Sequence, residues 1–511
     1  MSKLLQALHQ ALTNAEEPKV FDYGRWFDAG TLMSDVRATM EMLTELKIVP
    51  EAQVMIAMPN SYDFLVAYLA VLSHGGIVVP INPETPTAEL ARVMERFEAK
   101  AAIICANAAD AWQGELVDSG LRRVDVDRRG SGFTNFVYWS NGARASADSQ
   151  TSASPSEDSP AVLMFTSGTT GKPKGVMLRH RHLYAAAQNV IQSHALSERD
   201  VTYCILPLFH INAQVIALLA TLSSGGRVVM SDKFHASRFW DDIEKHGVTW
   251  VSCVPTILSI LTKLDAPKDC ARSLRFFRSA SAPLTPAIGA RIESMYGVPV
   301  IESYGMTEAA GQICVNPLPP GVRKAGSVGK PFGLSLQIVN DDRQPVGPYQ
   351  VGEIAIRGNN VIDAYVGMEP SQDYGYGPGW IYTGDLGYQD DDGYVFITGR
   401  AKEIINRAGE KLSPREIEDV LNTHEEIARS AVIGLPDPMY GERVVAWVVP
   451  ANPDGIVPDE LRSDLMSLCS THLAKHKCPS QILIARELPV NATGKVQKHL
   501  LREIEPKDML A

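Results

Sequence analysis

Residues 166–175 constrain the fold of this chain more than any other stretch. The apolar run at 161–165 and the run at 176–178 predict strands on either side, which places the segment at a strand end. Glycines let the backbone turn its N–H groups toward an anion, and hydroxyl and lysine side chains add donors and positive charge. The residues of these kinds are Gly168, Gly171, Gly175, Thr166, Ser167, Thr169, Thr170, Lys172 and Lys174. A surface turn is the alternative, but the combination favours a phosphate-binding loop whose spacing differs from the Walker motif.

Apolar runs alternate with helical patterns on both sides of this loop. Before it, strands are expected at 54–58, 75–80 and 101–105, with helices starting at Ser61 and Thr85. After it, strands are expected at 227–230, 249–253 and 299–301, with helices at 236–246 and 287–296. This rhythm is typical of an α/β fold in which helices cover a parallel sheet.

Two stretches depart from that rhythm. Residues 127–160 are rich in Ser, Ala, Gly, Asp and Pro, which predicts a mobile surface connector. After Gly329, short strands near 336–339, 352–357 and 393–397 predict a β-rich subdomain. Helices expected at 414–421 and 460–473 return the chain to mixed α/β. Because 511 residues exceed one hydrophobic core, we predict an N-terminal domain of residues 1–399 and a small mobile α/β domain of residues 400–511.

Composition excludes several classes of protein. The chain has 48 basic and 59 acidic residues and a net charge of −11, which disfavours nucleic acid or an anionic membrane as a partner. It has no signal-peptide pattern and no apolar stretch long enough to span a membrane. The 7 cysteines form no CxxC pair, which is typical of reduced thiols. We expect a soluble, cytoplasmic protein.

Five further motifs follow the loop in order. They are Ser-Ala-Ser-Ala-Pro-Leu at 279–284, Glu-Ser-Tyr-Gly-Met-Thr-Glu at 302–308, Tyr-Thr-Gly-Asp at 382–385, Thr-Gly-Arg-Ala-Lys-Glu-Ile-Ile at 398–405 and Leu-Pro-Val-Asn-Ala-Thr-Gly-Lys at 488–495. Each alone is a weak signal. In this order, they resemble the adenylate-forming superfamily, which comprises acyl-CoA synthetases, luciferases and peptide-synthetase adenylation domains. The resemblance covers nearly the whole chain.

The resemblance implies both a fold and a reaction. The fold is a large N-terminal domain of sheet-and-helix subdomains plus a β-rich subdomain, and a C-terminal domain that rotates between two half-reactions. In the first half-reaction, the substrate carboxylate attacks the α-phosphate of Mg-ATP, which releases pyrophosphate and forms acyl-AMP. In the second, a thiol attacks this anhydride. Positioned cations and donors would stabilise the charge that spreads over the phosphate oxygens.

The same resemblance implies a nucleotide site. The loop would hold the β- and γ-phosphates, Thr307 would contact the α-phosphate, and Glu308 would hold Mg²⁺. Lys495 would bridge the reacting carboxylate and the α-phosphate. The implied nucleotide-binding residues are Thr166, Ser167, Gly168, Thr169, Thr170, Gly171, Lys174, Ser281, Ala282, Pro283, Glu302, Ser303, Tyr304, Gly305, Met306, Thr307, Asp385, Arg400 and Lys495.

Three of these residues would hold the adenosine. Asp385 would accept hydrogen bonds from the ribose hydroxyls, Arg400 would add contacts, and Tyr304 would offer a flat face to adenine. Taken singly, each is equally typical of a turn, a surface or a core position.

Residues of the C-terminal domain are implied in the thiol step. Lys402 matches the hinge of the family, although a solvated lysine pairing with Glu403 is an equal alternative. Gly409 and Glu410 match the segment that enters the active site after the rotation.

An acyl pocket is implied around the Leu-Pro-Leu-Phe-His run at 206–210. A buried second charge needs polar partners, and the residues expected to line the pocket are His210, Asn212, Gln214, Ser281, Gly311 and Gln312. The expected catalytic residues are His210, Thr307, Glu308 and Lys495.

The acid itself is less constrained. Residues 250–257, 275–283, 316–320 and 326–331 resemble oxalate–CoA ligases, whereas 209–214 and 237–240 are similar to carnitine-type and fatty-acid-type ligases. The oxalate enzymes carry a histidine three residues after the motif glutamate, and here that position is Gly311, which would enlarge the pocket. We expect a small or polar, oxalate-like acid, with a medium-chain or carnitine-type acid as the alternative.

Coenzyme A is the expected acceptor, because no carrier segment with a serine attachment motif follows the last domain. A separate carrier protein is the alternative. A luciferase-like oxidoreductase, an amino-acid adenylation domain and a non-catalytic nucleotide-binding protein are competing classes. The pocket segment has no aspartate to receive an amino group. A homodimer is left open.

Overall fold

Four sheets organise the part of the chain that the computed structural model describes, which is residues 1–124, 136–141, 154–166, 174–264, 271–367, 379–452, 457–490 and 496–503. In these ranges, no helix combines the length and apolar character that a membrane crossing requires.

The strands of the first half of the chain are β1 (Pro18–Asp22), β2 (Arg25–Asp28), β3 (Gln53–Ala57), β4 (Ile77–Pro80), β5 (Ala99–Cys105), β6 (Arg122–Val124), β7 (Phe136–Ser140), β8 (Pro160–Thr166), β9 (Lys174–Arg179), β10 (Val201–Cys204), β11 (Arg227–Met230) and β12 (Trp250–Cys253). Those of the second half are β13 (Phe276–Ser279), β14 (Val300–Tyr304), β15 (Cys314–Val315), β16 (Lys330–Pro331), β17 (Ser335–Val339), β18 (Gly352–Arg357), β19 (Ile381–Gln389), β20 (Val395–Arg400), β21 (Ile405–Arg407), β22 (Glu410–Leu412), β23 (Ile427–Asp437), β24 (Gly441–Pro450) and β25 (Gln481–Ile484).

The α-helices are α1 (Lys3–Ala11), α2 (Ala29–Glu45), α3 (Tyr62–His74), α4 (Thr87–Met94), α5 (Ala106–Ala111), α6 (Gln113–Asp118), α7 (His180–Ser193), α8 (Ala220–Ser223), α9 (Phe239–His246), α10 (Pro255–Leu261), α11 (Pro286–Tyr296), α12 (Pro414–Leu421) and α13 (Pro458–His472). A π-helix spans Asn212–Leu219, and 3₁₀ turns span Thr307–Ala309, Ala401–Glu403 and Leu500–Arg502.

A nine-stranded sheet carries most of the motifs, in the order β16-β15-β14-β13-β12-β10-β11-β1-β2. The central pairs from β14 to β1 are parallel, whereas β2, β15 and β16 add antiparallel edges. Parallel strands place their carboxyl ends at one edge, where ligands bind in α/β folds. The motifs at 279–284 and 302–308 follow or end β13 and β14 and therefore lie at that edge.

A seven-stranded sheet in the order β6-β7-β5-β3-β4-β8-β9 holds the two strands that flank the predicted phosphate loop. β8 and β9 are antiparallel, and Thr166 pairs with Lys174. The predicted strands on either side of the loop are confirmed, and residues 167–173 between them lie outside the described residues.

Helix α3 belongs to the core that both large sheets share. Every residue from Tyr62 to Leu72 is buried, as expected of a helix that is apolar all round. The Ser61 hydroxyl accepts a 3.2 Å hydrogen bond from the Phe64 N–H, and Gly75 ends the helix with φ +88°. The predicted helix start at Ser61 is confirmed.

Two smaller sheets complete the fold. β17 to β20 form the antiparallel sheet expected after Gly329, and β21 to β25 form a five-stranded sheet backed by α12 and α13. The expectation of an α/β fold with a β-rich subdomain and a mixed C-terminal part is confirmed.

One expectation was wrong. The stretch at 127–160 was expected to be a surface connector, but within its described part Phe136–Ser140 forms β7, which pairs with β5 and β6. Residues 127–135 and 142–153 of this stretch lie outside the described residues. Val137, Tyr138 and Trp139 are buried. Their apolar and aromatic side chains stabilise the strand by burial, which the polar composition on both sides obscured.

Candidate active site

The loop after β14 sets the geometry of the site. Glu302, Ser303 and Tyr304 end the strand, and a 3₁₀ turn places Thr307 and Glu308 directly after it. The chain then doubles back so closely that a Cβ on Gly305 would lie 2.1 Å from the Gly311 carbonyl oxygen. Only glycine fits there.

Glu308 is the buried carboxylate of this loop. Tyr365 donates a 2.8 Å hydrogen bond from its hydroxyl to Glu308 Oε1, and Lys174 Nζ lies 4.7 Å from the centre of the Tyr365 ring. Burial raises the pKa of Glu308, while the Tyr365 hydrogen bond and the charges of Arg400 and Lys174 act in the opposite direction. The loop therefore holds a carboxylate close to two cations.

This carboxylate fits a magnesium ion that arrives with a nucleotide. Among the described residues, no group of three or more His, Cys, Asp or Glu side chains could hold a metal by itself. Mg²⁺ commonly binds one or two carboxylates together with substrate phosphates and water. Glu308 next to the predicted phosphate loop has the donor chemistry for that mode.

A second cluster joins the β-rich subdomain to β14. Tyr304 donates a 2.6 Å hydrogen bond to Asp385 Oδ2, and Arg400 Nε lies 2.9 Å from Asp385 Oδ1. Asp385 and Arg400 are partners in the register of β19 and β20. Burial, followed by the Asp385 charge, raises the pKa of Tyr304 far above its usual value, so the phenol stays protonated and donates. Three residues predicted at the adenosine thus lie together.

The turn after β13 lies beside this loop. Ser281, Ala282 and Pro283 are exposed, and Ser281 has a φ of +72°. Glu302 Oε1 accepts a 3.3 Å hydrogen bond from the N–H of Leu284, and burial raises the pKa of Glu302 to about 7. The motifs at 279–284 and 302–308 are therefore joined by a direct hydrogen bond.

His210 lies just before the π-helix, in the segment where the sequence predicts an acyl pocket. Its ring lies 4.6 Å from that of Phe209, and its Nε2 is buried with no hydrogen-bond partner among the described residues. Burial lowers the pKa of His210 to about 4. The ring is therefore neutral at physiological pH and has polar capacity left for a ligand.

The π-helix places Asn212 beside the exposed turn at residues 281–283. Asn212 Nδ2 donates a 3.4 Å hydrogen bond to Ser281 Oγ, and Asn212 Oδ1 accepts a 2.9 Å bond from Ser252. π-Helices are rare and occur frequently at functional sites.

Gln214 and Gln312 lie deeper in the interior. Gln214 Nε2 donates to the Leu208 carbonyl at 2.8 Å, and Gln312 Nε2 donates to Ser193 Oγ at 3.2 Å. The side-chain NH₂ group of each glutamine thus donates a hydrogen bond within the protein. Gly311 has a φ of +102°, and a Cβ there would lie 3.3 Å from Ile216 Cδ1, so a side chain at this position would be strained.

The residues implied in the thiol step lie on outer turns. Lys402 is exposed on the 3₁₀ turn after β20. Gly409 and Glu410 are exposed at the β21–β22 hairpin, where Gly409 has a φ of +89°. Glycine adopts this positive φ without steric strain, which allows the tight turn of the hairpin.

Several predicted residues fall beyond what the structure covers. Ser167, Gly168, Thr169, Thr170, Gly171 and Lys495 lie outside the described residues, and only the backbone of Thr166 is described.

Two residues near the site escaped the sequence reasoning. Tyr365 belongs to none of the motifs, and only the folding of the chain brings its hydroxyl to Glu308. Arg278 is completely buried in β13, beside Ser252 and Asn212. The sequence did contain a signal for Arg278, because this arginine follows two phenylalanines in a buried strand and fully buried arginines are rare.

Comparison with known proteins identifies related sequences and a related fold. The profile of AMP-binding enzymes matches residues 8–366, and that of the AMP-binding enzyme C-terminal domain matches residues 416–495. An oxalate–CoA ligase of Arabidopsis thaliana is 34% identical over 91% of both chains, and a sulfoacetate–CoA ligase of Cupriavidus necator is 36% identical over 93% of this chain and 92% of its own. The crystal structure of ATP-bound MatB from Rhodopseudomonas palustris superposes with a TM-score of 0.86 at 27% identity, covering 98% of this chain and 99% of MatB.

Proposed function

The chain belongs to the family of AMP-binding enzymes and is an AMP-forming acid–CoA ligase, and we propose that its acid is small and has a polar or charged distal end. ATP, Mg²⁺ and coenzyme A take part in the reaction. The polar wall formed by Asn212, Ser281 and His210 supports this acid class, as do relatives named for oxalate and sulfoacetate.

The buried Glu308, held by Tyr365 and close to the positive charge of Lys174, is the observation that best supports the proposed nucleotide site. In the first half-reaction, a carboxylate oxygen of the acid attacks the α-phosphorus of ATP, and the bond to the pyrophosphate oxygen breaks. Glu308 would hold Mg²⁺, which offsets phosphate charge when bound. Thr307 would donate to the α-phosphate, and Lys495 would bridge it to the attacking carboxylate.

The cluster of Tyr304, Asp385 and Arg400 would bind the adenosine. Asp385 is held from both sides, so its oxygens are positioned before the ligand arrives. We propose that Asp385 binds the ribose hydroxyls, that Arg400 adds contacts, and that the Tyr304 ring faces adenine. The remaining motif residues at 281–283 and 302–306 would line the same nucleotide.

The second half-reaction would use the C-terminal domain. The CoA thiol attacks the acyl carbon, and AMP leaves as the anhydride bond breaks. We propose a boundary between residues 399 and 400 with a hinge near Lys402, after which Gly409 and Glu410 enter the site. Two hydrophobic clusters in this part contain only residues from Ile405 onward, which supports a separate domain.

A pyrophosphate-release assay with Mg-ATP and CoA tests the acid class. The panel contains small dicarboxylic and sulfonic acids, aromatic acids, betaines, and straight-chain acids of about four to twelve carbons. We expect AMP, pyrophosphate and acyl-CoA with the small polar acids. A preference for the apolar chains would contradict the proposal. Acyl-AMP formed without acyl-CoA would indicate a carrier protein as the acceptor.

Two further features are proposed on narrower grounds. The six cysteines that the structure describes form no disulfide, which supports a reducing compartment such as the cytoplasm. The second feature is a homodimer, which the sequence leaves open. Sedimentation equilibrium would detect it as a species with twice the monomer mass.

A further inference from the structure

Arg278 is a charged residue in an apolar place. Its exposed fraction is 0%, and it lies on β13 between the aromatic residues Phe276 and Phe277 and the motif Ser279. Among the described residues, no carboxylate forms an ion pair with it. Its hydrogen bonds go to neutral oxygens, Asn212 Oδ1 at 3.4 Å and Ser252 Oγ at 3.3 Å.

Burying such a charge without a counter-ion is costly. Two of its nitrogens, Nε and Nη2, have no hydrogen-bond partner among the described residues. Burial lowers the pKa of Arg278 to about 10, so the guanidinium remains charged at neutral pH. The neighbouring ionisable groups do not compensate it, since burial raises the pKa of Cys253 to about 12 and lowers that of His194 to about 3.

This arginine fixes the orientation of Asn212. A guanidinium has only donors, so the side-chain oxygen of Asn212 must face it, and Ser252 donates to the same oxygen at 2.9 Å. The Asn212 NH₂ group is thereby directed outward to Ser281 Oγ at 3.4 Å. Ser281 is exposed, so this pair presents hydrogen-bond donors on the acyl side of the site.

An uncompensated positive charge behind two outward donors is the electrostatic arrangement that an anion prefers. The buried surroundings strengthen this attraction, because the effective dielectric constant is lower than in water. The neutral His210 has no hydrogen-bond partner at Nε2 within the described part of the chain, so this nitrogen is available to a ligand without adding charge.

We propose that Asn212 and Ser281 bind a second anionic group, a carboxylate or a sulfonate, at the far end of a short acid, and that Arg278 acts as the positioning residue that orients Asn212 and supplies the positive charge. This inference rests on the proposed function and narrows its substrate class to short acids with two negative charges.

Matched acids that differ only in the distal charge provide the test. The pairs are malonate with malonamate, and sulfoacetate with methylsulfonylacetate. For the natural chain, we expect kcat/KM to be at least about 30-fold higher for the dianion in one pair, because the electrostatic contribution acts on the charged group alone. Equal rates within both pairs, or preference for the neutral acids, would overturn the inference.

Variants then separate positioning from folding. Arg278→Met should raise KM for the dianion about 30-fold while changing the neutral acid less than about 3-fold, and Arg278→Lys should recover part of the loss. Asn212→Asp places a counter-ion beside Arg278, which favours folding, and should abolish the preference for the dianion. AMP affinity, measured by calorimetry, should stay within about 3-fold in all three variants.

The outcomes distinguish the two proposals. Equal losses for charged and neutral acids in Arg278→Met and Asn212→Asp would overturn the role of Arg278 and Asn212 while leaving the ligase intact. AMP formation with apolar acids only would overturn both the inference and the proposed acid class.

Discussion

Tyr365 donates a 2.8 Å hydrogen bond to Glu308 across 57 residues of sequence. The bond fixes the orientation of the carboxylate that we propose as the magnesium ligand. It also connects the motif loop to β9, because Tyr365 forms a bridge with Val176 and the Val366 N–H donates to the Gly175 carbonyl at 2.9 Å.

Tyr365→Phe should weaken the response to Mg²⁺. A hydrogen bond to a charged group contributes about 1.5–3 kcal/mol, so we expect about 10-fold more Mg²⁺ for the half-maximal adenylation rate. Since the Tyr365 bond lowers the pKa of Glu308, its loss should also move the acidic limb of the rate profile to higher pH. Tyr388→Phe, in which the ring that stacks on Phe396 is kept, is the matched control. Equal magnesium curves for both variants would remove Tyr365 from this role.

Asp385→Asn should impair nucleotide binding. The change removes the charge that pairs with Arg400 and leaves one amide oxygen for Tyr304. Losing a charge-assisted hydrogen bond predicts about 10- to 100-fold weaker binding of AMP in calorimetry. Asp391→Asn changes an exposed carboxylate at the turn between β19 and β20 and serves as the control. Unchanged affinity in Asp385→Asn would contradict the proposed ribose contact.

Glu302→Gln should change how stability depends on pH. Burial raises the pKa of Glu302 from 4.5 to about 7, so its contribution is fully present below pH 4.5 and is lost as the pH rises through 7. At about pH 8 the variant should be more stable than the natural chain by up to about 3 kcal/mol, with little difference at about pH 4.5. Apparent thermal midpoints at these two pH values measure the effect. The exposed Glu84→Gln should show no such dependence, and a parallel shift at both pH values would exclude Glu302 as the cause.

Lys495→Ala should separate the two half-reactions. If Lys495 bridges the carboxylate and the α-phosphate, adenylation should fall at least about 100-fold, because a positioned charge stabilises that transition state. Thioester formation from supplied acyl-AMP and CoA should stay within a few-fold of the natural rate, as should both reactions in the exposed-lysine control Lys475→Ala. Comparable loss of both half-reactions would refute the assigned role.

Local patterns predicted most of the regular elements. The strand at Arg227–Met230 and the helix at Pro414–Leu421 lie where the sequence predicted them. Their signals, apolar periodicity and a proline at the helix start, are carried by residues that are neighbours in sequence. The parallel centre of the large sheet was predicted from the alternation of strands and helices along the chain. Its antiparallel edges were not, since strand partners are chosen by tertiary packing.

The site could be predicted only where motifs exist. The order of motifs predicted roles for Glu308, Asp385 and Tyr304, and the structure brings Asp385 and Tyr304 into contact. Tyr365 and Arg278 act through partners distant in sequence, which no periodicity encodes. The π-helix at Asn212–Leu219 also had no local signal, because its sequence is apolar throughout apart from Asn212 and Gln214.

The close approach of Gly305 to Gly311 limits how this enzyme could evolve. Since a methyl group on Gly305 would collide with the Gly311 carbonyl oxygen, Gly305 accepts a larger residue only if the chain around Gly311 moves. Both flank Glu308, so a shift of either would also disturb the carboxylate. Changes of substrate preference in descendants of this chain should therefore spare Gly305 and arise at residues outside this close contact.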